Sequence, residues 1–369
     1  MRDPRVTPRC GRGPKGQSLQ VLDRGFVLID PPFAECHAST LAESSGGLVI
    51  AFFAGPHEGH PDTGIWLVRR EGVAPWSVPR RVATGDTADN GHYPCWNPVL
   101  HREPDGPLLL FYKVGLSPRA WWGMLMQSGD GGQTWSDAQR LPDGILGPIK
   151  NKPLRLADGA LLCGTSTEAI EAWSTGSSRA AGSLSDVAGL DSDEPNPHAQ
   201  DVWSVFIERT EDLGRTWDRV GPLNDAGLIG AIQPTLLQHR SGHIQALCRT
   251  LQGRIAVCWS SDEGRTWGPM SFTDLPNPNS GIDAVNLNEG RALLVYNHSG
   301  IPVGHRDGPR SPLNVAISSE GMRWQPELVL EDELGEYSYP AVIQAANGRV
   351  HLTYTWRRTN IRHVVLEVH

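Results

Sequence analysis

One short pattern occurs six times along the chain and restricts its fold more than any other feature. It consists of an apolar strand, a polar turn with a glycine, and a second apolar strand. The copies begin at His37, Asn97, Lys152, Gln233, Asp283 and Tyr339. The turn glycines are Gly47, Gly106, Gly159, Gly242, Gly290 and Gly348. Apolar runs on both sides of a glycine turn are typical of β-hairpins, and their recurrence predicts a repeat architecture.

A further apolar strand follows each of the first five hairpins, in the segments GIWLVRR, WGMLMQS, WSVFIERT, RIAVCWSS and LNVAISS. A short fourth strand usually comes after it, so each unit holds about four strands. Radial packing of four-stranded sheets protects their edges. We therefore predict an all-β fold, a six-bladed β-propeller of four-stranded antiparallel blades. It forms a single domain over residues 21–369, after a flexible segment 1–20, with a surface loop around Trp173–Gln200.

A second pattern, Asp-x-Gly-x-Thr-Trp, lies between the third and fourth strands of several units. It occurs in Ser128–Trp135, Thr210–Trp217 and Ser260–Trp267, with a shortened copy in Ser318–Trp324; we call these segments the Asp-Trp motifs. The Asp and Thr side chains suit a tight turn, and the Trp suits packing between sheets. Because strands alternate in direction, this turn lies on the rim opposite the start of each first strand. We interpret the motif as structural and expect function on the other rim.

The composition excludes several classes of partner. The net charge is −8 and the cations are scattered, so nucleic-acid binding is not expected. No apolar run of about 18 residues predicts a membrane span. The N-terminus lacks an apolar signal segment, which favours a cytoplasmic protein, although a removed leader leaves secretion open. The six cysteines form no CxxC pair and are interpreted as buried free thiols.

The Asp-Trp motifs between hairpins resemble the Asp-box, or bacterial neuraminidase repeat, of the sialidase superfamily. The resemblance extends from Ala34 onward and is strongest to bacterial sialidase-like proteins. It implies three arginines that hold a substrate carboxylate, a tyrosine nucleophile activated by a glutamate, and an aspartate acid/base. By position, Arg249 and Arg310 resemble two of the arginines, Tyr337 the nucleophile, and Asp62 the acid/base. His37 stands in place of the third arginine and Gln233 in place of the glutamate.

The rim opposite the Asp-Trp motifs supplies the other candidates. Amides and aromatic rings suit sugar hydroxyls and ring faces, and converging cations suit a carboxylate. Tyr337, His37, Asp62 and His60 are the candidate catalytic residues. The candidate substrate-binding residues are Arg249, Arg310, Lys152, Asn151, Lys113, Gln233, Asn279, Asp283, Asn297, Tyr339, Trp356 and Arg357.

Simpler roles remain open for several of them. Lys113 and Lys152 suit ion pairs between blades, and His37 suits a hydrogen-bonded core position. His60 and Asp62 lie in a Gly/Pro loop typical of solvated side chains. This HEGHPD segment lacks the spacing of a helical zinc site, so neither a metal nor another cofactor is predicted.

Three functions follow as hypotheses, all with a glycan that carries an acidic sugar. The first is hydrolytic release of a terminal acidic sugar, with Tyr337 as nucleophile and Asp62 as acid. The second is cleavage of a uronate linkage by β-elimination, with His37, His60 or Tyr337 moving protons. The replacement of Arg by His37 and of Glu by Gln233 favours this lyase. The third is glycan binding without catalysis. The sugar, the linkage and the oligomeric state are not indicated by the sequence.

Overall fold

The computed structural model describes residues 18–44, 46–172 and 199–369. Most of the segment expected to be flexible, and nearly all of the expected loop around Trp173–Gln200, lie outside these residues. The first strand is β1 (Leu19–Phe26), which begins close to the expected domain start.

The other strands follow in groups of four. Blade 1 holds β2 (Glu35–Ser44), β3 (Gly47–Gly55), β4 (Gly64–Glu71) and β5 (Arg80–Ala83). Blade 2 holds β6 (Cys95–Arg102), β7 (Leu108–Gly115), β8 (Trp121–Ser128) and β9 (Gln139–Arg140). Blade 3 holds β10 (Leu154–Arg155), β11 (Leu161–Ala172), β12 (Ala199–Thr210) and β13 (Asp218–Val220).

Blade 4 holds β14 (Ala231–Gln238), β15 (Ile244–Thr250), β16 (Arg254–Ser260) and β17 (Ser271–Pro276). Blade 5 holds β18 (Asp283–Asn286), β19 (Ala292–Asn297), β20 (Leu313–Ser318) and β21 (Gln325–Glu331). Blade 6 holds β22 (Tyr337–Gln344), β23 (Val350–Trp356) and β24 (Asn360–Val368), with β1 as its fourth strand.

The prediction of an all-β, six-bladed propeller of four-stranded antiparallel blades is confirmed for the described part of the chain. The strand pairing that completes blade 6 was not predicted. The N-terminal β1 pairs antiparallel with the C-terminal β24, from Leu19 opposite Val368 to Phe26 opposite Arg362. Strands from opposite ends of the described chain therefore complete one blade together, and β1 covers the edge of β24.

The apolar core lies between neighbouring blades. One cluster joins Val49 and Leu67 of blade 1 to Leu110 and Met126 of blade 2. The five cysteines among the described residues are free and buried, as predicted. No helix in this part of the chain is long and apolar enough to cross a membrane.

The Asp-Trp motif forms the turn between the third and fourth strands, as predicted. In blade 4, Asp262 Oδ1 accepts from Ser260 Oγ at 2.8 Å and from the Thr266 amide at 2.9 Å. Thr266 Oγ1 donates to Asp262 Oδ2 at 2.6 Å, and Trp267 Nε1 donates to the Gly264 carbonyl at 3.0 Å. These polar groups are used within their own turn. We call this side of the propeller the motif rim and the other side the cavity rim.

Candidate functional site

Four of the innermost strands are irregular at the same point, near their start on the cavity rim. The strand register shifts after His37 in β2, Trp96 in β6, Ile232 in β14 and Ser338 in β22. At each shift one residue other than glycine has a positive φ: Ala38 (51°), Asn97 (38°), Gln233 (56°) and Tyr339 (51°). This backbone region is unfavourable for such residues and is frequent at functional sites. The bulges re-aim these side chains relative to a regular strand.

These bulged positions surround a cavity of about 200 Å³ on the cavity rim. Asn97, Gln233 and Tyr339 line it, together with His37, the neighbour of Ala38. Its other walls are formed by Glu58, Trp96, Pro118, Trp121, Glu168, Arg249, Arg310 and Arg358. Each of blades 1 to 6 supplies at least one lining residue, so the cavity exists only in the closed ring.

Three arginines from blades 4, 5 and 6 meet at this cavity. Arg249 is the penultimate residue of β15, Arg310 precedes β20, and Arg358 follows β23. Arg249 Nε donates to Asn279 Oδ1 at 2.8 Å, which fixes its guanidinium. Within the described residues, Nη2 of each arginine has no hydrogen-bond partner. Three guanidinium groups therefore keep donors available for an anionic ligand.

Glu336 holds two of these arginines in place. Its Oε1 accepts from Arg310 Nη1 at 3.2 Å and its Oε2 from Arg358 Nε at 3.0 Å. Arg358 Nη1 also donates to Glu58 Oε2 at 2.5 Å. Burial alone would raise the pKa of Glu336, but Arg310 and Arg358 hold it below its usual value. Glu336 is therefore an ionised support for the arginine pair.

Tyr339 presents its hydroxyl to donors inside the cavity. Its Oη accepts from Arg249 Nη1 at 3.0 Å and from Gln233 Nε2 at 3.2 Å. The Arg310 guanidinium carbon lies 5.8 Å from the centre of the ring, and Lys150 Nζ lies 5.9 Å from it. These two hydrogen bonds hold the phenolic oxygen of Tyr339 inside the cavity.

His37 packs against this tyrosine, with ring centres 4.3 Å apart. The imidazole is buried, and its Nδ1 has no hydrogen-bond partner among the described residues. Burial, followed by the positive charges of Arg358, Arg310, Arg249 and Lys150, holds the pKa of His37 well below its usual range. His37 is therefore a neutral base that stands beside Tyr339.

Lys150 is buried close to the cavity-lining Tyr339. Its Nζ donates to Asn151 Oδ1 at 2.9 Å, to the Ile282 carbonyl at 2.8 Å and to the Pro340 carbonyl. Burial lowers the pKa of Lys150 to about 7. Because Pro340 follows Tyr339, this ammonium group ties the tyrosine segment of blade 6 to blades 3 and 5.

The structure brings five predicted residues together in the cavity: His37, Gln233, Arg249, Arg310 and Tyr339. Two further predicted residues support them without lining it. Asn279 orients Arg249, and Asn151 Nδ2 donates to the Gln233 carbonyl at 3.1 Å.

Tyr337, the predicted nucleophile, does not line the cavity. It is completely buried in the core between blades 5 and 6, and its hydroxyl accepts from Arg357 Nη2 at 3.1 Å. The bulge between Ser338 and Ala341 separates the two tyrosines, so that Tyr339 and not Tyr337 lines the cavity.

The predicted acid/base also lies outside the cavity lining. Asp62 is 62% exposed, and its carboxylate contacts His92 Nε2 at 3.0 Å and His60 Nδ1 at 3.6 Å. His92 Nδ1 in turn contacts Asp86 at 2.6 Å. This is a solvated cluster that joins two surface loops, in line with the simpler role left open for His60 and Asp62. Within the described residues, no group of three or more His, Cys, Asp or Glu is arranged to hold a metal ion.

The remaining predicted binding residues have structural contacts. Lys152 pairs with Asp283 at 3.0 Å, and Asp283 also accepts from Thr235 Oγ1 and the Val342 amide. Lys113 is buried and donates to the Pro148 carbonyl at 2.8 Å. Asn297 Nδ2 donates to the Tyr337 carbonyl at 2.9 Å. Trp356 packs on Phe26 and Tyr337, and Arg357 stacks on Trp356.

Arg358 and Glu336 were not predicted from the sequence. Glu168 can be placed on this rim from the sequence, but no role was predicted for it. Arg358 stands next to the predicted Arg357, so the error is one residue at the end of a strand. One sequence signal for the bulges was available. Proline directly follows three of the positive-φ residues, in Asn97–Pro98, Gln233–Pro234 and Tyr339–Pro340. A proline at the same position of several repeats indicates the point where regular strand pairing stops, because proline cannot donate a backbone hydrogen bond.

Comparison with known proteins agrees with this architecture. The family model described as "BNR repeat-like domain" matches residues 46–352, most of the chain. The protein therefore belongs to the BNR repeat-like domain family, within a sialidase-like superfamily of propellers. No curated protein sequence matches the chain.

Solved structures share the fold at low sequence identity. A protein of unknown function from Dyadobacter fermentans is 16% identical, with a TM-score of 0.73 over 95% of this chain and 100% of that one. The NanB sialidase of Streptococcus pneumoniae is 13% identical, with a TM-score of 0.67 over 96% of this chain and 71% of that one. The intramolecular trans-sialidase of Ruminococcus gnavus is 12% identical, with a TM-score of 0.66 over 92% and 96%.

Proposed function

We propose that the cavity binds a carboxylate-bearing sugar and that the protein releases this sugar from the end of a glycan by hydrolysis. The observation that carries the proposal is the convergence of Arg249, Arg310 and Arg358 on one cavity of about 200 Å³. Planar guanidinium groups with free donors match a carboxylate. The aromatic walls of Trp96 and Trp121 suit a sugar ring. The similarity of fold to sialidases is consistent with this proposal.

Tyr339 is the nucleophile in this proposal. Its oxygen attacks the anomeric carbon, its proton passes to His37, and the bond from that carbon to the leaving oxygen breaks. The leaving oxygen keeps the electron pair and takes a proton from an acid. Water then attacks the anomeric carbon: its hydroxyl stays on the sugar, its proton returns to the acid, and the departing Tyr339 oxygen takes its proton back from His37. The substrate carboxylate offsets the cations around His37, which makes protonation of the imidazole easier.

One feature favours a second candidate, β-elimination at a uronate linkage. An amide, Gln233, and not a carboxylate, contacts Tyr339, and a neutral His37 stands beside it. In this reaction a base removes the proton at the carbon next to the carboxylate. The linking oxygen then leaves with the C–O electron pair and a proton, and a C=C bond forms.

Incubation with a panel of acidic oligosaccharides distinguishes these reactions. Hydrolysis yields a new reducing end without ultraviolet absorption, whereas elimination yields an unsaturated uronate that absorbs in the near ultraviolet. The Arg249→Ala variant should lose turnover, and Arg215→Ala, an exposed arginine on the motif rim, is the matched control. Binding of acidic sugars without any product would leave a non-catalytic glycan-binding protein.

A further inference from the structure

A second cavity adjoins the first between blades 2 and 3. It measures about 240 Å³ and shares Pro118, Trp121 and Glu168 with the central cavity. We call it the side groove. Because the two cavities share three lining residues, they adjoin each other, and a ligand longer than a single sugar can contact both.

The walls of the side groove suit a sugar ring. Trp121 and Trp122, at the start of β8, provide aromatic surface, and Leu141 and Pro142 provide an apolar wall. Trp121 Nε1 is buried and has no hydrogen-bond partner among the described residues. The Arg140 guanidinium lies 5.0 Å from the centre of the Trp122 ring and remains largely exposed. Aromatic faces with a few polar groups at their edge are typical of carbohydrate-binding clefts.

Glu168, near the end of β11, stands at the boundary between the two cavities. It forms no hydrogen bond or ion pair within the described residues, whereas Glu58 and Glu336 are paired with arginines. Burial raises the pKa of Glu168, although Arg249, Arg119 and Arg306 act in the opposite direction. Among the carboxyl groups that line the central cavity, Glu168 is therefore the one best suited to hold a proton.

We infer that the side groove binds the sugar next to the terminal acidic sugar, and that Glu168 protonates the oxygen that links the two. This inference depends on the proposed function. As the bond from the anomeric carbon to the linking oxygen breaks, that oxygen keeps the electron pair and receives the proton of Glu168. The freed sugar leaves through the side groove. The water that completes hydrolysis then returns a proton to the Glu168 carboxylate.

The Glu168→Gln variant tests the catalytic part with two substrates that carry the same acidic sugar. One has a sugar as leaving group, which needs a proton to depart, and the other has 4-nitrophenol, which departs without one. We expect at least a hundredfold loss of kcat for the sugar leaving group and less than a tenfold loss for 4-nitrophenol. Glu320→Gln, on the motif rim, is the matched control and should match the wild type for both substrates.

The affinity of Glu168→Gln for the free acidic monosaccharide is measured in parallel by calorimetry and should match that of the wild type. Equal losses for both leaving groups, or no loss for either, would overturn the role of Glu168 even if the wild type is active. A wild-type protein that neither binds nor cleaves any acidic sugar would instead remove the proposed function. The two failures are therefore distinguishable.

The Arg140→Ala variant tests the subsite. It should raise KM about three- to tenfold for the sugar leaving group and leave KM unchanged for a methyl glycoside of the same acidic sugar, which does not reach the side groove. Affinity for the free monosaccharide should not change. An equal change for the methyl glycoside, or no change for either substrate, would show that the side groove does not bind the second sugar.

Discussion

On the motif rim the polar side chains form hydrogen bonds within their own turn, whereas on the cavity rim several polar groups have no hydrogen-bond partner among the described residues. Asp262 accepts from Ser260 and Thr266 in its own segment, and the same bonds recur at Asp130 and Asp212. Within the part of the chain that the structure describes, His37 Nδ1 on the cavity rim is unpaired, and Nη2 of Arg249, Arg310 and Arg358 has no hydrogen-bond partner. Repeated residues complete the blades, and residues that differ from blade to blade form the site.

The pKa values of two carboxyl groups, Asp262 on the motif rim and Glu168 on the cavity rim, differ in the same way. Four hydrogen-bond donors within the motif, the Thr266 hydroxyl first among them, lower the pKa of Asp262 to about 2. Burial raises the pKa of Glu168, which has no hydrogen-bond partner among the described residues. A group whose hydrogen bonds are complete in the folded protein contributes to stability, whereas a buried group without them is available for chemistry.

The largest effect is expected from removal of a motif tryptophan. Trp324 is 9% exposed, packs in the core between blades 4 and 5, and donates to the Gly321 carbonyl at 3.0 Å. Trp324→Ala should lower the free energy of unfolding by about 3–5 kcal/mol, as measured by denaturant titration. Activity per folded molecule should remain near that of the wild type. A well-folded but inactive Trp324→Ala protein would contradict the assignment of stability to the motif rim and of function to the cavity rim.

Removal of a cavity arginine should act on ligand binding and not mainly on stability. Arg249→Ala should weaken binding of an acidic sugar by about 2–5 kcal/mol, as measured by calorimetry, because a charge-assisted pair is lost. Arg249→Lys should restore little, since an ammonium group cannot form the planar fork. Arg215→Ala on the motif rim should bind normally. Equal processing of neutral and acidic sugars by the wild type would contradict carboxylate recognition.

The two tyrosines of the EYSYP segment give a matched pair two residues apart. Tyr339→Phe should lower turnover at least about a hundredfold with little change in stability, since it removes only the hydroxyl in the cavity. Tyr337→Phe removes a buried hydroxyl that accepts from Arg357, so it should cost about 1 kcal/mol of stability and leave turnover intact. The reverse result in a steady-state assay would place the chemistry at Tyr337 after all.

The smallest effect concerns the dependence of stability on pH. Asp262 has a pKa of about 2 in the folded protein and an ordinary value of 3.8. Its contribution to stability is therefore complete above about pH 4 and is lost as the pH falls towards 2. In Asp262→Asn the difference in melting temperature from the wild type should shrink over this interval. A difference that stays constant from pH 6 to pH 2 would mean that the carboxylate charge does not stabilise the turn.

The sequence by itself determined the repeat and its consequences. Six hairpins with glycine turns specify six blades, and the alternation of strand direction assigns Arg249, Arg310, His37 and Gln233 to one rim. These are local and periodic features, which can be read from neighbouring residues. The Asp-Trp motifs were equally readable, because their hydrogen bonds close within a few residues of Asp130, Asp212 and Asp262.

Only the tertiary structure decided which of the neighbouring candidates enter the cavity. A bulge reverses which side chains face inward, so Tyr339 lines the cavity while Tyr337 lies in the core. Arg358 enters it and the adjacent Arg357 does not. Glu168 lies at the boundary of two cavities, and the arginines that act on its pKa are distant from it in sequence. The physical reason is that the burial of a side chain, the lack of a hydrogen-bond partner and the convergence of distant residues are properties of the closed ring. Residues from six blades meet in one cavity there.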